Sequence, residues 1–75
     1  MITYDLIDEI TDNIDKGLLP EPLEEPTEEE VYELTKDEEH FLKYLPYLIS
    51  VATVFNGSDI VAVINNVIDK YVVED

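Results

Sequence analysis

The sequence has 75 residues with 19 acidic side chains, four lysines and no arginine, so its formal net charge is −15 at pH 7. We expect residues 1–75 to form a single small acidic domain, and the lack of cysteine excludes disulfides and thiolate metal sites. The charge excludes direct binding to nucleic acid, because phosphates are bound by clustered cations. Apolar residues make up 45% of the chain, which is ordinary for a folded domain.

The acidic side chains are concentrated in the first part of the chain. Residues 1–40 hold 15 acidic side chains and two lysines, a net charge of −13, whereas residues 41–75 hold four and two, a net charge of −2. The longest uncharged apolar stretch, residues 44–55, is shorter than the roughly 20 residues that span a bilayer. The chain also begins without the cationic start and apolar run of a signal peptide. We therefore expect a protein of the cytoplasm, or of a host cytoplasm, that does not enter a membrane.

The first predicted element is an amphipathic helix. Leu6, Ile7, Ile10 and Ile14 recur at spacings of three and four, with acidic residues on the opposite side. Thr3 is its expected N-cap, and Lys16-Gly17 is a C-terminal stop signal. The following connector, residues 18–26, holds three prolines in seven residues, which predicts an extended path. We expect its leucines (Leu18, Leu19, Leu23) to hold the connector against the core.

Two capping signatures follow the connector. Thr27-Glu28-Glu29-Glu30 is a capping box that predicts the start of a second helix. Thr35-Lys36-Asp37-Glu38 has the same form, and it either starts a third helix or lies within a longer second one. Pro46 is expected to kink the helix that contains it or to mark a restart.

The last third of the chain allows two interpretations. Asn56-Gly57 between β-branched runs is a strong signal for a two-residue β-hairpin. Ser58 is also a good N-cap, and the apolar residues after it recur at helical spacing up to Tyr71, beyond the length of a plausible hairpin. We therefore predict an all-α bundle of three or four short helices, with an α+β fold around Asn56-Gly57 as the alternative.

Catalytic and metal-binding patterns are incomplete. His40 is the only histidine, and Asp37 lies three residues before it. This single pair is not enough for a di-metal site, which needs two such pairs and further glutamates. The segment from Asp12 to Gly17 fails as a calcium loop, because Ile14 and Lys16 take ligand positions. There is no cysteine nucleophile, and the single histidine cannot be placed beside either of the two serines as a general base. We therefore expect a protein that is not an enzyme and has no cofactor and no catalytic or metal-binding residues.

The acidic residues are the strongest functional signal. Residues 21–33 contain seven glutamates and no cation, so no helical ion pair offsets their repulsion. We expect an inhibitor or antagonist that docks a carboxylate-rich face on a basic protein, and a nucleic-acid-binding protein, met by nucleic-acid mimicry, is one such partner. The expected contact residues are Asp5, Asp8, Asp12, Asp15, Glu24, Glu25, Glu28, Glu29, Tyr32, Glu33, Glu38 and Glu39. The alternative is a structural or adaptor subunit that forms homodimers or hetero-oligomers through residues 41–75. Small acidic proteins that phages make against host nucleic-acid enzymes share this composition, although composition assigns no residue.

Overall fold

The computed structural model describes residues 2–72, which contain four helices: α1 (Tyr4–Asp15), α2 (Glu28–Leu34), α3 (Glu38–Val54) and α4 (Asp59–Tyr71). Within this range the only β-type pairing is an isolated parallel bridge between Ile2 and Val72. The predicted all-α fold of three or four short helices is therefore confirmed.

The segment Asn56-Gly57 is a turn between α3 and α4 rather than a hairpin turn. Gly57 has a φ of 96°, but Asn56 does not have a positive φ, and the favoured two-residue hairpin turn needs positive φ at both positions. The residues after the turn instead bury Ile60, Ile64 and Val67, which share one face of a helix. Burial of this helical stripe decides the conformation over the local turn signal.

Helices α1, α2 and α3 each begin with a side-chain cap hydrogen bond, whereas α4 begins after the expected Ser58, which makes none. The Leu6 N–H lies 3.4 Å from Thr3 Oγ1, and the Glu30 N–H donates to Thr27 Oγ1 at 3.2 Å. The cap of α3 is Asp37, whose carboxylate accepts from the His40 N–H at 2.8 Å. The second capping signature therefore starts a new helix, but not at Thr35.

Thr35 ends α2 instead of beginning α3. Its hydroxyl donates to the Val31 carbonyl at 2.6 Å, so it is turned back along its own helix. At the end of α1, the Gly17 N–H bonds the Ile14 carbonyl at 2.9 Å and the Leu18 N–H bonds the Asn13 carbonyl at 3.0 Å. With Gly17 at a φ of 74°, these bonds form the predicted glycine stop.

Helix α3 is the centre of the bundle. The helices α1, α2 and α4 each pack against it, and α2 also packs against α4. Phe41, Leu45, Leu48 and Val51 of α3 are fully buried, as are Val31 of α2 and Ile64 of α4. Pro46 lies inside one continuous helix, so it marks no restart.

The connector between α1 and α2 does not use its leucines as expected. Leu18 is 68% exposed and Leu23 is 97% exposed, whereas Pro26 is buried. The expectation that Leu18 and Leu23 hold the connector to the core is therefore wrong. The prolines keep the chain extended, and Pro26 holds the connector where it joins α2.

Candidate partner-binding surface

The acidic residues of α1 form a stripe along the helix. Asp5, Asp8, Asp12 and Asp15 are all exposed, and spacings of three and four place them along one side about 4.5 to 6 Å apart along the axis. The stripe carries one described ion pair, between Lys16 Nζ and Asp12 Oδ2 at 2.7 Å. Both side chains of this pair are exposed to solvent, so the pair contributes little to stability.

The connector and α2 carry the densest charge. All seven glutamates of residues 21–33 are exposed. The next cation, Lys36, places its Nζ 3.5 Å from Glu33 Oε1, so the expectation that no helical ion pair offsets their repulsion is wrong for Glu33. Six residues of this surface were predicted to bind a partner, and together we call them the α2 patch: Glu24, Glu25, Glu28, Glu29, Tyr32 and Glu33.

Tyr32 is the aromatic member of the α2 patch. Its side chain is 54% exposed, and its hydroxyl donates to Glu28 Oε1 at 3.1 Å. This hydrogen bond, together with the charge of Glu28, raises the pKa of Tyr32. Tyr32 therefore presents a neutral phenol ring beside the Glu28 carboxylate at the surface of α2.

The predicted contact residues of α3, Glu38 and Glu39, are exposed in its first turn. The neighbouring histidine contributes to the helix cap: His40 Nδ1 lies 3.0 Å from Asp37 Oδ1. The hydrogen bonds from the His40 backbone N–H and then from its side chain lower the pKa of Asp37. His40 therefore has a structural role at the start of α3.

The predicted contact residues are spread over the connector and three helices, and most of them lie on α1 and α2. Helices α1 and α2 both pack against α3, and between these two described helices there is no contact. The α1 stripe and the α2 patch are therefore separate parts of the acidic surface, rather than two helices packed side by side.

A depression of about 410 Å³ borders the α2 patch and was not expected from the sequence. Its walls include Leu23, Glu24, Glu30 and Tyr47. Burial, and secondly the charge of Glu30, raises the pKa of Tyr47, so this ring of α3 lies at the acidic surface. Tyr47 belongs to residues 41–75, the segment expected to make the alternative adaptor contact. Residue spacing cannot show that the connector lies beside α3 at this position.

A second depression of about 250 Å³ lies between α2 and α4. Val63, Val67 and the side chains of Tyr32 and Tyr71 line it, together with Lys36 and Lys70. We call it the lysine groove. It places two of the four lysines of the chain at the wall of one apolar depression.

Two features, a metal-ligand cluster and a membrane-spanning helix, are absent from the part of the chain that the structure describes. Among residues 2–72, no group of three or more histidine or acidic side chains is placed to hold a metal ion. None of the helices in the same range has the length and apolar character needed to cross a bilayer. Comparison with protein-family models, with curated proteins and with solved structures finds no match to this chain.

Proposed function

We propose that the protein is a non-catalytic inhibitor or antagonist that docks its acidic surface on a basic protein in the cytoplasm, or in a host cytoplasm. The observation that carries this proposal is the row of seven exposed glutamates in residues 21–33, with no cation among them. Such a row has a cost in folding, because like charges three and four residues apart repel. A cationic partner surface would offset this repulsion.

The charges favour fast and selective association. Electrostatic complementarity accelerates encounter and rejects partners of the wrong sign. Carboxylates about 4.5 to 6 Å apart on a helix approach the spacing of phosphates along a nucleic-acid strand. This similarity supports a nucleic-acid-binding protein as the partner, with the α1 stripe and the α2 patch in the place of phosphates.

The experiment combines capture of a partner with charge removal. The protein is used to capture partners from a lysate at low and at high salt, and the purified partner is then titrated against variants. Replacing Glu25, Glu28 and Glu29 together by Gln should weaken binding at least about tenfold, or about 1.4 kcal/mol. Association should slow steeply with ionic strength while dissociation changes less.

A matched variant tests whether position matters as well as charge. Asp59→Asn with Asp69→Asn removes two carboxylates from α4, outside the proposed contact residues, and should leave affinity nearly unchanged. If both variants lose the same binding free energy for each charge removed, net charge alone drives the contact and the position of this surface does not matter. Circular dichroism checks that each variant remains helical.

A structural or adaptor subunit is the second candidate function. Tyr47 and Val54 are 36% and 44% exposed and lie two helical turns apart on α3, where a homodimer or another helical protein would find apolar contacts. Of residues 41–75, proposed for this contact, residues 73–75 lie outside the described range. If Val54→Ser abolishes partner binding while the triple Glu→Gln variant does not, the adaptor function replaces the inhibitor.

A further inference from the structure

The lysine groove differs in charge from the surface around it. Lys36 and Lys70 line it in a chain whose net charge is −15. Lys36 Nζ is held loosely, 3.5 Å from Glu33 Oε1, in an exposed pair, and Lys70 Nζ lies 5.3 Å from the centre of the Tyr71 ring. Since the Tyr71 hydroxyl donates to the Thr35 carbonyl at 2.8 Å, the hydroxyl is already engaged within the fold. The groove therefore suits an apolar side chain that has carboxylates beside it.

The chain itself carries a segment of this chemistry. Leu23 is 97% exposed, with Glu24 and Glu25 directly after it. The flanking prolines Pro22 and Pro26 restrict the backbone of this segment before any contact is made. Binding an already restricted segment costs less conformational entropy than ordering a flexible one.

We propose that the lysine groove binds Leu23 and its neighbouring carboxylates from a second copy of this chain. Leu23 enters between Val63 and Val67, and Glu24 and Glu25 meet Lys36 and Lys70. Every copy carries both the segment and the groove, so two copies can exchange these contacts reciprocally. The contact goes beyond the proposed function, which involves a basic partner.

This self-association has a characteristic dependence on salt. Two copies with a charge of −15 each repel one another at long range, and salt screens that repulsion beyond about 8 to 10 Å. The short-range contacts in the groove are screened less. Self-association therefore strengthens as salt is added, whereas binding to a basic protein weakens, so the two proposals fail in distinguishable ways.

Sedimentation equilibrium of the full chain at low and high salt tests the contact. We expect reversible association at high micromolar concentration that Leu23→Ser weakens at least about tenfold. Leu18→Ser is the matched control, because Leu18 is an exposed leucine of the same connector, and it should leave association unchanged. A wild-type chain that stays monomeric at both salt concentrations, or an equal effect of the two substitutions, would overturn the proposal.

A charge exchange tests the pairing directly. The variant with Lys36→Glu and Lys70→Glu, and the variant with Glu24→Lys and Glu25→Lys, should each fail to self-associate. Their mixture should associate, because the acidic groove of the first then meets the basic connector of the second. Both variants keep a net negative charge, so overall attraction does not explain association of the mixture. A mixture that stays monomeric would overturn the assigned contact. So would a result in which Val54→Ser abolishes self-association while Leu23→Ser leaves it unchanged.

Discussion

Replacing Tyr71 by Phe should measure how strongly the end of α4 is tied to the end of α2. The Tyr71 hydroxyl donates to the Thr35 carbonyl at 2.8 Å, across 36 positions of the chain. Thr35 is buried and is the C-cap of α2, so its carbonyl loses this donor in the variant. The ring stays in place, because Phe keeps the stacking on Phe41, whose ring centre is 4.9 Å away.

The expected magnitude follows from the loss of one partly buried hydrogen bond. Such a bond contributes about 1 kcal/mol net to stability, so the free energy of unfolding should fall by about that amount. For a domain of this size, about 1 kcal/mol lowers Tm by about 4 to 8 °C. Tyr71→Leu also removes the aromatic stacking and should cost about 0.5 to 1.5 kcal/mol more.

Urea unfolding followed by circular dichroism, at low micromolar concentration, gives both free energies. Tyr4→Phe is the matched control, because the side chain of Tyr4 is 44% exposed and the substitution should change little. If Tyr71→Phe and Tyr4→Phe unfold at the same urea concentration, the bond between Tyr71 and Thr35 does not stabilise the fold and the reasoning is refuted.

Three further predictions concern pH, backbone conformation and salt. Folding lowers the pKa of Asp37, so its stabilising contribution is present above the unfolded pKa of about 3.9 and is lost as pH falls through the folded pKa. Asp37→Asn should therefore make the fall of Tm in acid smaller, which a series of Tm measurements against pH checks. Gly57→Ala should lower the free energy of unfolding in urea by about 1 kcal/mol, because alanine is strained at a φ of 96° even though nothing lies within 4 Å of the added Cβ; an unchanged midpoint would contradict this strain. Sodium chloride should raise Tm, since it screens the repulsion within a chain of net charge −15, and a Tm independent of salt would argue against that repulsion.

The helices and their ends could be predicted from the sequence to a large extent, because the signals are local. A capping side chain and a glycine stop act on backbone groups within three or four residues, as Thr3, Thr27 and Gly17 do. Two caps depart from this pattern: Ser58 precedes α4 but makes no side-chain cap hydrogen bond, and α3 is capped by Asp37 rather than by Thr35. Thr35 and Asp37 are both good caps, and Thr35 is buried in the bundle, where it bonds to its own helix instead.

The exposed carboxylates were equally predictable, because charged side chains are almost never buried without a partner. Their arrangement was not. The sequence does not show that α1 and α2 pack on α3 without touching, so the division into the α1 stripe and the α2 patch comes from the fold alone. The exposure of Leu23 and the position of Tyr47 beside it were missed for the same reason, since both depend on how the connector crosses the bundle.

The sequence by itself thus determined that residues 4–54 are largely helical, where most of these helices end, and that the protein has an acidic surface, because these features follow from periodicity, caps and charge within short stretches. Tertiary structure alone decided that Asn56-Gly57 joins two helices, since burial of Ile60, Ile64 and Val67 against the bundle outweighs the local preference for a hairpin turn. It also decided that Lys36 and Lys70, distant in sequence, line one groove. Such pairings depend on long-range packing, and local sequence preferences do not specify them.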